Sequence, residues 1–479
     1  MAEQEGRGIP QEVLTYPLLR AIAGRRTRRI ARGMSIDAGP LSHTSTNAPA
    51  PLSQVEEAML IVATGLTGAV THDGPLDIPG GGRELGTPFL HALARSASSP
   101  DNIQAVHFVM VNDAGTWVIK RLSPAAALER LKSLPPRWED WTENDWIATA
   151  KAVKYRIGPR LEFPRTFPYY LGWNKQLSNV PGTTMFLPLV DCTRGYITAL
   201  LNLASEPDGS RPLFMDDFRA FSPTDATDAA AFALVHLGKV KIPYQPVGGT
   251  KHVRSGYVNP GVIAPLGLFR TFIADHEAHY HLQNLMLLAQ SMGLGAWVHF
   301  APPAPYLFEG DGTDQCRGLG FTMMTPTKNW GASPPPPPSW MANPVGIPGV
   351  LEALSPPFVK SMDAAVDKVI EMKYGAQGAY DPALLGLGYR HPDDANTFIA
   401  HGQRYDEKAI AYVKETVNYI YDTYGRFPAH VDAIYAPGSW LQVCHPELEY
   451  YEKTVPAALI ARQLEHAAIW GESPPASRP

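Results

Sequence analysis

Apolar positions along this chain repeat with two periods, one suited to strands and one to helices. The runs "AVHFVMV" and "TWVIK" flank "NDAG", which predicts a hairpin around residues 105–120. "TMFLPLV" (184–190) is continuously apolar and predicts a buried strand, followed by a helix through "RGYITALLNLAS". "PLSQVEEAMLIVATGLTG" (51–68) predicts a capped helix, with Ser53 as N-cap, Glu56 completing a capping box, and Gly65 and Gly68 closing it. "TDATDAAAFALVHLGKV" predicts another helix. The clearest helical period lies in "ADHEAHYHLQNLMLLAQSMGLG" (274–295), where Leu282, Leu285, Leu288 and Met292 share a face and Gly-Leu-Gly ends the pattern. "AWVHF" and "GLGFTMM" (318–324) then predict strands. Residues 123–175 are helical in pattern and rich in aromatics. Towards the C-terminus the pattern predicts helices near 361–373, 406–424 and 453–469, with the strand-like "AHVDAIYA" between them. No repeat of solenoid period is present. Strands and helices in this order make the class α+β.

Composition narrows the function classes. A chain of 479 residues exceeds one ordinary core, so an elaborated domain or two domains are expected. Hydrophobic content of 45% is that of a globular protein. A net charge of −5 gives no overall reason to expect nucleic acid or an anionic membrane as partner. Cys192, Cys316 and Cys444 are widely spaced, which fits a reducing compartment better than disulfide stapling. No apolar run approaches the roughly 20 residues of a membrane span. "GRRTRRIARG" has the look of a twin-arginine signal but runs into the polar "MSIDAGPLSHTSTNAPAP", so the expectation is a cytoplasmic protein. Five consecutive prolines in "SPPPPPSW" (333–340) predict a polyproline II spacer.

Three segments are candidates for chemistry. In "RRTRR" (25–29), helical spacing would put Arg25, Arg28, Arg29 and Arg32 on one face, and guanidinium forks with a threonine hydroxyl suit a phosphate. A solvated basic arm explains the same residues. In "SSPDNIQ" (98–104), Ser98, Ser99, Asn102 and Gln104 stand on a turn shaped by Pro100, and amides match the edge of a planar heterocycle. A turn that satisfies its own backbone is the alternative. The third segment is the amphipathic "LQNLMLLAQSMGLG", common in many folds.

Taken in order, "RRTRR", "SSPDNIQ" and "LQNLMLLAQSMGLG" resemble the nitroreductase-like flavoprotein superfamily, over roughly residues 21–120 and 270–325. That family shows an Arg-Arg-Ser-x-Arg start, a Pro-Ser-x-x-Asn-x-Gln loop entering a strand, and a Gln-Asn-Leu helix ending Gly-Leu-Gly. Here Thr27 stands where Ser is usual, Ser98-Ser99-Pro100 permutes the loop, and the family's late basic residue has no clear match. The resemblance implies a central, mostly antiparallel sheet flanked by helices, and a homodimer holding FMN, or F420 in its place, at the subunit interface. By motif position Arg25, Arg26, Thr27 and Arg29 would hold the phosphate, ribityl and pyrimidine side. Ser98, Ser99, Pro100 and Asn102, with Gln104, would come from the partner subunit. It also implies a hydride passed from NADH or NADPH, through flavin N5, to a nitro, quinone, enone or azoline group on a small molecule or peptide. No catalytic acid is assigned.

The implied organisation is an arm (1–20), a flavin-binding core (21–330) with an insertion at about 123–270, a proline-rich linker (331–345), and a C-terminal α/β extension (346–479) able to act as lid or partner contact. Two other functions compete. One is a non-catalytic flavin-binding scaffold using the tyrosine-rich C-terminal region. The other is a metalloenzyme using the His276/His279/His281 segment "DHEAHYH", where His276 and His279 are i, i+3 and Glu277 and His281 are i, i+4, although the segment is not HExxH. Nucleic-acid binding has no second basic stripe to support it.

Overall fold

A computed structural model describes residues 8–64, 93–99, 103–206 apart from 168, 171 and 173, 209–216, 250–266, 276–299, 301, 307–324, 343–402, 404–431 and 439–471. It also describes the backbone of a few short segments between these. The proline run, the 224–240 helix expected from the pattern (apart from residue 230), and Pro100, Asp101 and Asn102 lie outside the described residues.

The main sheet has seven strands: β1 (Val106–Asn112), β2 (Gly115–Ile119), β3 (Lys154–Gly158), β4 (Thr183–Asp191), β5 (Gly295–His299), β6 (His430–Val431) and β7 (Trp440–Cys444). Their order is β5-β7-β4-β1-β2-β3, with β6 on the end of β4, and every pairing is antiparallel. The chain is therefore mixed α+β, with a mostly antiparallel sheet flanked by helices. The β1–β2 hairpin forms as its sequence predicts. Asn112 Oδ1 accepts the N–H groups of Ala114 (3.0 Å) and Gly115 (3.1 Å), and Gly115 takes a positive φ of 152° that a side chain would block against Gly158 O.

The helices that matter here are α1 (Leu18–Gly24), α2 (Gln54–Thr64), α3 (Glu143–Val153), α4 (Cys192–Ala204), α5 (His276–Met292), α6 (Met362–Tyr374) and α7 (Glu407–Tyr424). The α2 capping box is present: Ser53 N–H donates to Glu56 Oε2 (2.8 Å) and Glu56 N–H to Ser53 Oγ (3.3 Å). Helix α5 ends at Gly293, whose φ is +82° and where a Cβ would lie 2.9 Å from Arg462 O. On one face of the sheet α2, α3 and α5 pack on Val106, Phe108, Met110 and Phe186. The opposite face carries Val109, Val111, Leu187 and Leu189 under Phe308, Phe321 and Trp440. Burial on both sides explains why β1 and β4 are apolar without alternation. A second core joins α4, α6 and α7.

Several sequence expectations change. Residues 8–20 carry two short helical segments, and Ile9 and Val13 enter the main core, so this stretch is docked. The expected C-terminal extension supplies β7, which lies inside the sheet between β5 and β4. The expected insertion likewise supplies the central strand β4. The single helix expected at 453–469 is broken into Leu448–Thr454, a 3₁₀ turn at Ala457–Leu459, and short helices at Ala461–Leu464 and His466–Trp470. Pro456, which has no N–H to donate, stands at the break. Among the described residues no helix is long and apolar enough to cross a membrane, and all three cysteines are buried free thiols.

Candidate functional site

The arginine cluster is not helical. Helix α1 ends at Gly24, and Arg25 is extended (φ −60°, ψ 131°), so residues 25–29 form a ledge rather than a helix face. The expectation that Arg25, Arg28, Arg29 and Arg32 share a helical side is therefore overturned, and burial separates them instead. Arg28 is buried, with its guanidinium donating to Leu459 O (2.6 Å) and lying over the Tyr451 ring. Its neighbours stay open. Arg25 is half-buried and meets Met286 Sδ (3.8 Å), Arg26 folds back on the carbonyls of Ala23 and Arg25, and Arg29 donates to Asn174. Thr27 is exposed. Among the described residues none of these four guanidiniums meets a carboxylate.

The second motif lies against the first turn of α5. Ser98 is exposed, while Ser99 and Gln104 turn inward. Ser99 Oγ donates to Glu277 Oε2 (2.9 Å) and accepts the Gln104 N–H (2.8 Å). Gln104 sits at φ 54°, the left-handed region that a glutamine seldom occupies. That turn aims its amide oxygen inward, where it accepts from Arg121 (3.0 Å) and from Arg95. The side chains of Ser99 and Gln104 are thus engaged within the chain. The exposed Ser98 remains directed to the outside, and Pro100 and Asn102 lie outside the described residues.

Beneath this loop is a buried charge network that the sequence pattern did not reveal. Glu277 is 1% exposed and pairs with Arg95 at 2.6 Å. Its other oxygen accepts Ser99 and the Ala105 N–H (3.0 Å). Burial opposes the charge on Glu277, but His281 and Arg95 hold its carboxyl down to about 2. Burial, then Arg95, push the His281 imidazole down to about 4, so it is neutral near pH 7. Arg95 also donates to the carbonyls of Thr64 (3.1 Å) and Val106 (2.7 Å), tying α2 and β1 to the loop. No local signal marks this pair, because its members are 182 positions apart.

The three histidines of "DHEAHYH" do not converge. His281 is buried against Glu277 and Phe108, whereas His276 and His279 are exposed. The carboxylate–imidazole groups close enough to share an ion are elsewhere: Glu56 with His445 and His466, and His43 with Glu447 and Glu449.

Within one chain Arg25 and Ser99 are not brought together. Ser99 contacts α5 at Glu277 and Arg25 contacts it at Met286, nine positions apart (277 to 286), or about 14 Å at the helical rise. No family model matches the chain, and no curated protein matches it.

Proposed function

We propose that the chain is an FMN-dependent oxidoreductase of nitroreductase-like fold, working as a homodimer with two flavin sites across the subunit interface. The observation that carries this reading is the placement of the two motifs against separate stretches of α5, one at its first turn through Glu277 and the other at Met286. Two copies related by a dyad, with α5 antiparallel, put the 98–104 loop of one copy against the 25–29 ledge of the other. An interface there has apolar surface to bury, since Leu18 (66% exposed), Leu19 (76%) and Ile22 (55%) on α1 and Tyr280 (47%) on α5 are open.

The donor set suits FMN. Arg25, Arg26 and Arg29 present guanidiniums without carboxylate partners among the described residues, as an incoming phosphate requires. When bound, FMN supplies reversible two-electron hydride chemistry at N5. Arg25 and Arg26 hold the phosphate, and Thr27 offers a hydroxyl to the ribityl chain. A guanidinium near the pyrimidine edge favours the anionic reduced ring and raises its potential without transferring a proton. Ser98 faces the ring from the partner copy, next to Ser99, which is fixed to Glu277, and by motif position Asn102 would join it. The substrate class this chemistry would serve is an organic nitro, quinone, enone or azoline group, with NADH or NADPH as the hydride donor.

Replacement of Arg25 and of Asn102 by Ala tests the assignment. The reading expects purified wild-type protein to hold about one FMN per chain and each variant to lose most of it. Full FMN retention in both variants overturns it.

A further inference from the structure

A second site lies behind the loop, on the far side of Gln104. A cavity of about 790 Å³ opens between the edge of the main sheet and the C-terminal segment. This volume lies in the range of small-molecule sites. Its walls come from β1, the residues after β2, the start of α4, and residues 349–354 and 368–378. The flavin motifs use none of these C-terminal residues.

The lining is cationic in an unbalanced way. At the mouth Lys368 is paired with Glu371 (2.7 Å), and Glu352 accepts the Gly349 N–H. Deeper, Arg194 is paired with Asp191 (2.7 Å) and donates to His107 Nε2 (3.1 Å). Arg121 has no such balance. Among the described residues it makes no ion pair, and its hydrogen bond goes to the neutral amide oxygen of Gln104. Lys120, beside it, donates to a carbonyl, that of Val350 (2.6 Å). Burial, then Arg95, push the Arg121 guanidinium down to about 9 against the opposing pull of the more distant Glu277 carboxylate, so it remains charged near pH 7 with no ion pair of its own among the described residues.

His107 adds a fixed donor. Because a guanidinium can only donate, His107 Nε2 is the acceptor in its contact with Arg194, which places the ring proton on Nδ1. That Nδ1 is buried and has no hydrogen-bond partner among the described residues. Burial, then Arg194, hold the imidazole well below its ordinary value, so the ring stays neutral and keeps this tautomer. Two guanidiniums beside a neutral imidazole suit an oxyanion and disfavour a metal cation.

We propose that this cavity binds a small organic anion through its phosphate or carboxylate group, held by Arg121 and Arg194, with Lys120 beside them. The site stands independently of the flavin reading. Arg121 donates to Gln104, and the Gln104 N–H donates to Ser99, so a bound anion would also be sensed at the 98–104 loop through two hydrogen bonds.

Calorimetric titration of the full chain with AMP, as the phosphate probe, and citrate, as the carboxylate probe, at constant ionic strength set with sodium chloride tests this. At least one probe is expected to bind saturably, and which one binds identifies the anion class. Arg121→Met is expected to weaken that binding about tenfold or more, and Lys120→Met, a change outside the buried network, to weaken it less. Arg25→Ala separates this site from the flavin ledge and is expected to leave the binding unchanged. The proposal is overturned if neither probe binds saturably. It is also overturned if Lys120→Met and Arg121→Met both bind like wild type, or if the binding is lost in Arg25→Ala alone. Should Arg121→Met not fold, the Lys120→Met result decides.

Discussion

Replacing Glu277 by Gln removes the only carboxylate paired with Arg95 among the described residues and keeps the side-chain volume. In the wild type the two oxygens accept from Arg95 (2.6 Å), Ser99 (2.9 Å) and the N–H of Ala105 (3.0 Å), all at a position 1% exposed. The amide can turn only one acceptor to this ring of donors and must set its own N–H groups against the others. Arg95 is left as an uncompensated buried cation. Breaking a buried pair from one side costs about 3–5 kcal/mol, and hydrogen bonds to a charged group about 1.5–3 kcal/mol each, so the effects overlap near the upper figure. At a urea slope of about 3 kcal/mol per molar, the midpoint falls by about 1 M or more. Tryptophan fluorescence against urea measures it. A pH series adds a second check. The folded carboxyl is held near 2, below the unfolded glutamate value of about 4.3, so its stabilisation is full above that value and is lost as pH falls towards 2. The variant therefore loses stability at pH 7 and shows a shallower acid limb. A midpoint within about 0.2 M of wild type at pH 7 would refute the role given to this pair.

Three further outcomes follow from the same contacts. Arg28→Ala removes a buried guanidinium from Leu459 O and the Tyr451 ring and is expected to lower stability by about 1–3 kcal/mol, whereas Arg26→Ala leaves stability within about 0.5 kcal/mol; urea unfolding separates the two. Leu285→Ala empties a fully buried position between α5 and the sheet, with an expected loss of about 2–5 kcal/mol in the same assay. Burial pushes the Lys373 ammonium down to about 7, below the unfolded value of about 10.4. The unfolded chain binds the proton more tightly between those values, so stability should rise as pH increases from about 7 towards 10, and Lys373→Met should abolish that rise when midpoints at pH 7 and 9 are compared.

The local elements were legible where a signal is contained within a few residues. The Ser53–Glu56 capping box, the Asn112–Gly115 hairpin and the α5 stripe ending at Gly293 formed as their spacing dictates. What depended on distant partners was not legible. Trp440–Cys444 has a glutamine at its centre and reads as a weak strand, yet Gln442 is satisfied by donating to Leu177 O and accepting the Asn179 N–H, which permits an interior position. The arginine spacing in "RRTRR" matches a helix, but periodicity among charged residues says little about backbone form, and Gly24 had already ended the helix. Nothing near Glu277 in sequence marks it as half of a buried pair, because its counterion, Arg95, is remote in sequence. The cavity behind Gln104 was hidden for the same reason, since His107, Arg121 and Arg194 lie on separate elements.

The central claim is that two copies of this chain hold a flavin between the 25–29 ledge of one and the 98–104 loop of the other. An absorbance spectrum of the purified protein, with the released cofactor identified by mass, tests it most directly. The account predicts a yellow dimer with flavin bands and about one FMN per chain. A colourless protein that takes up neither FMN nor F420 on reconstitution would contradict it.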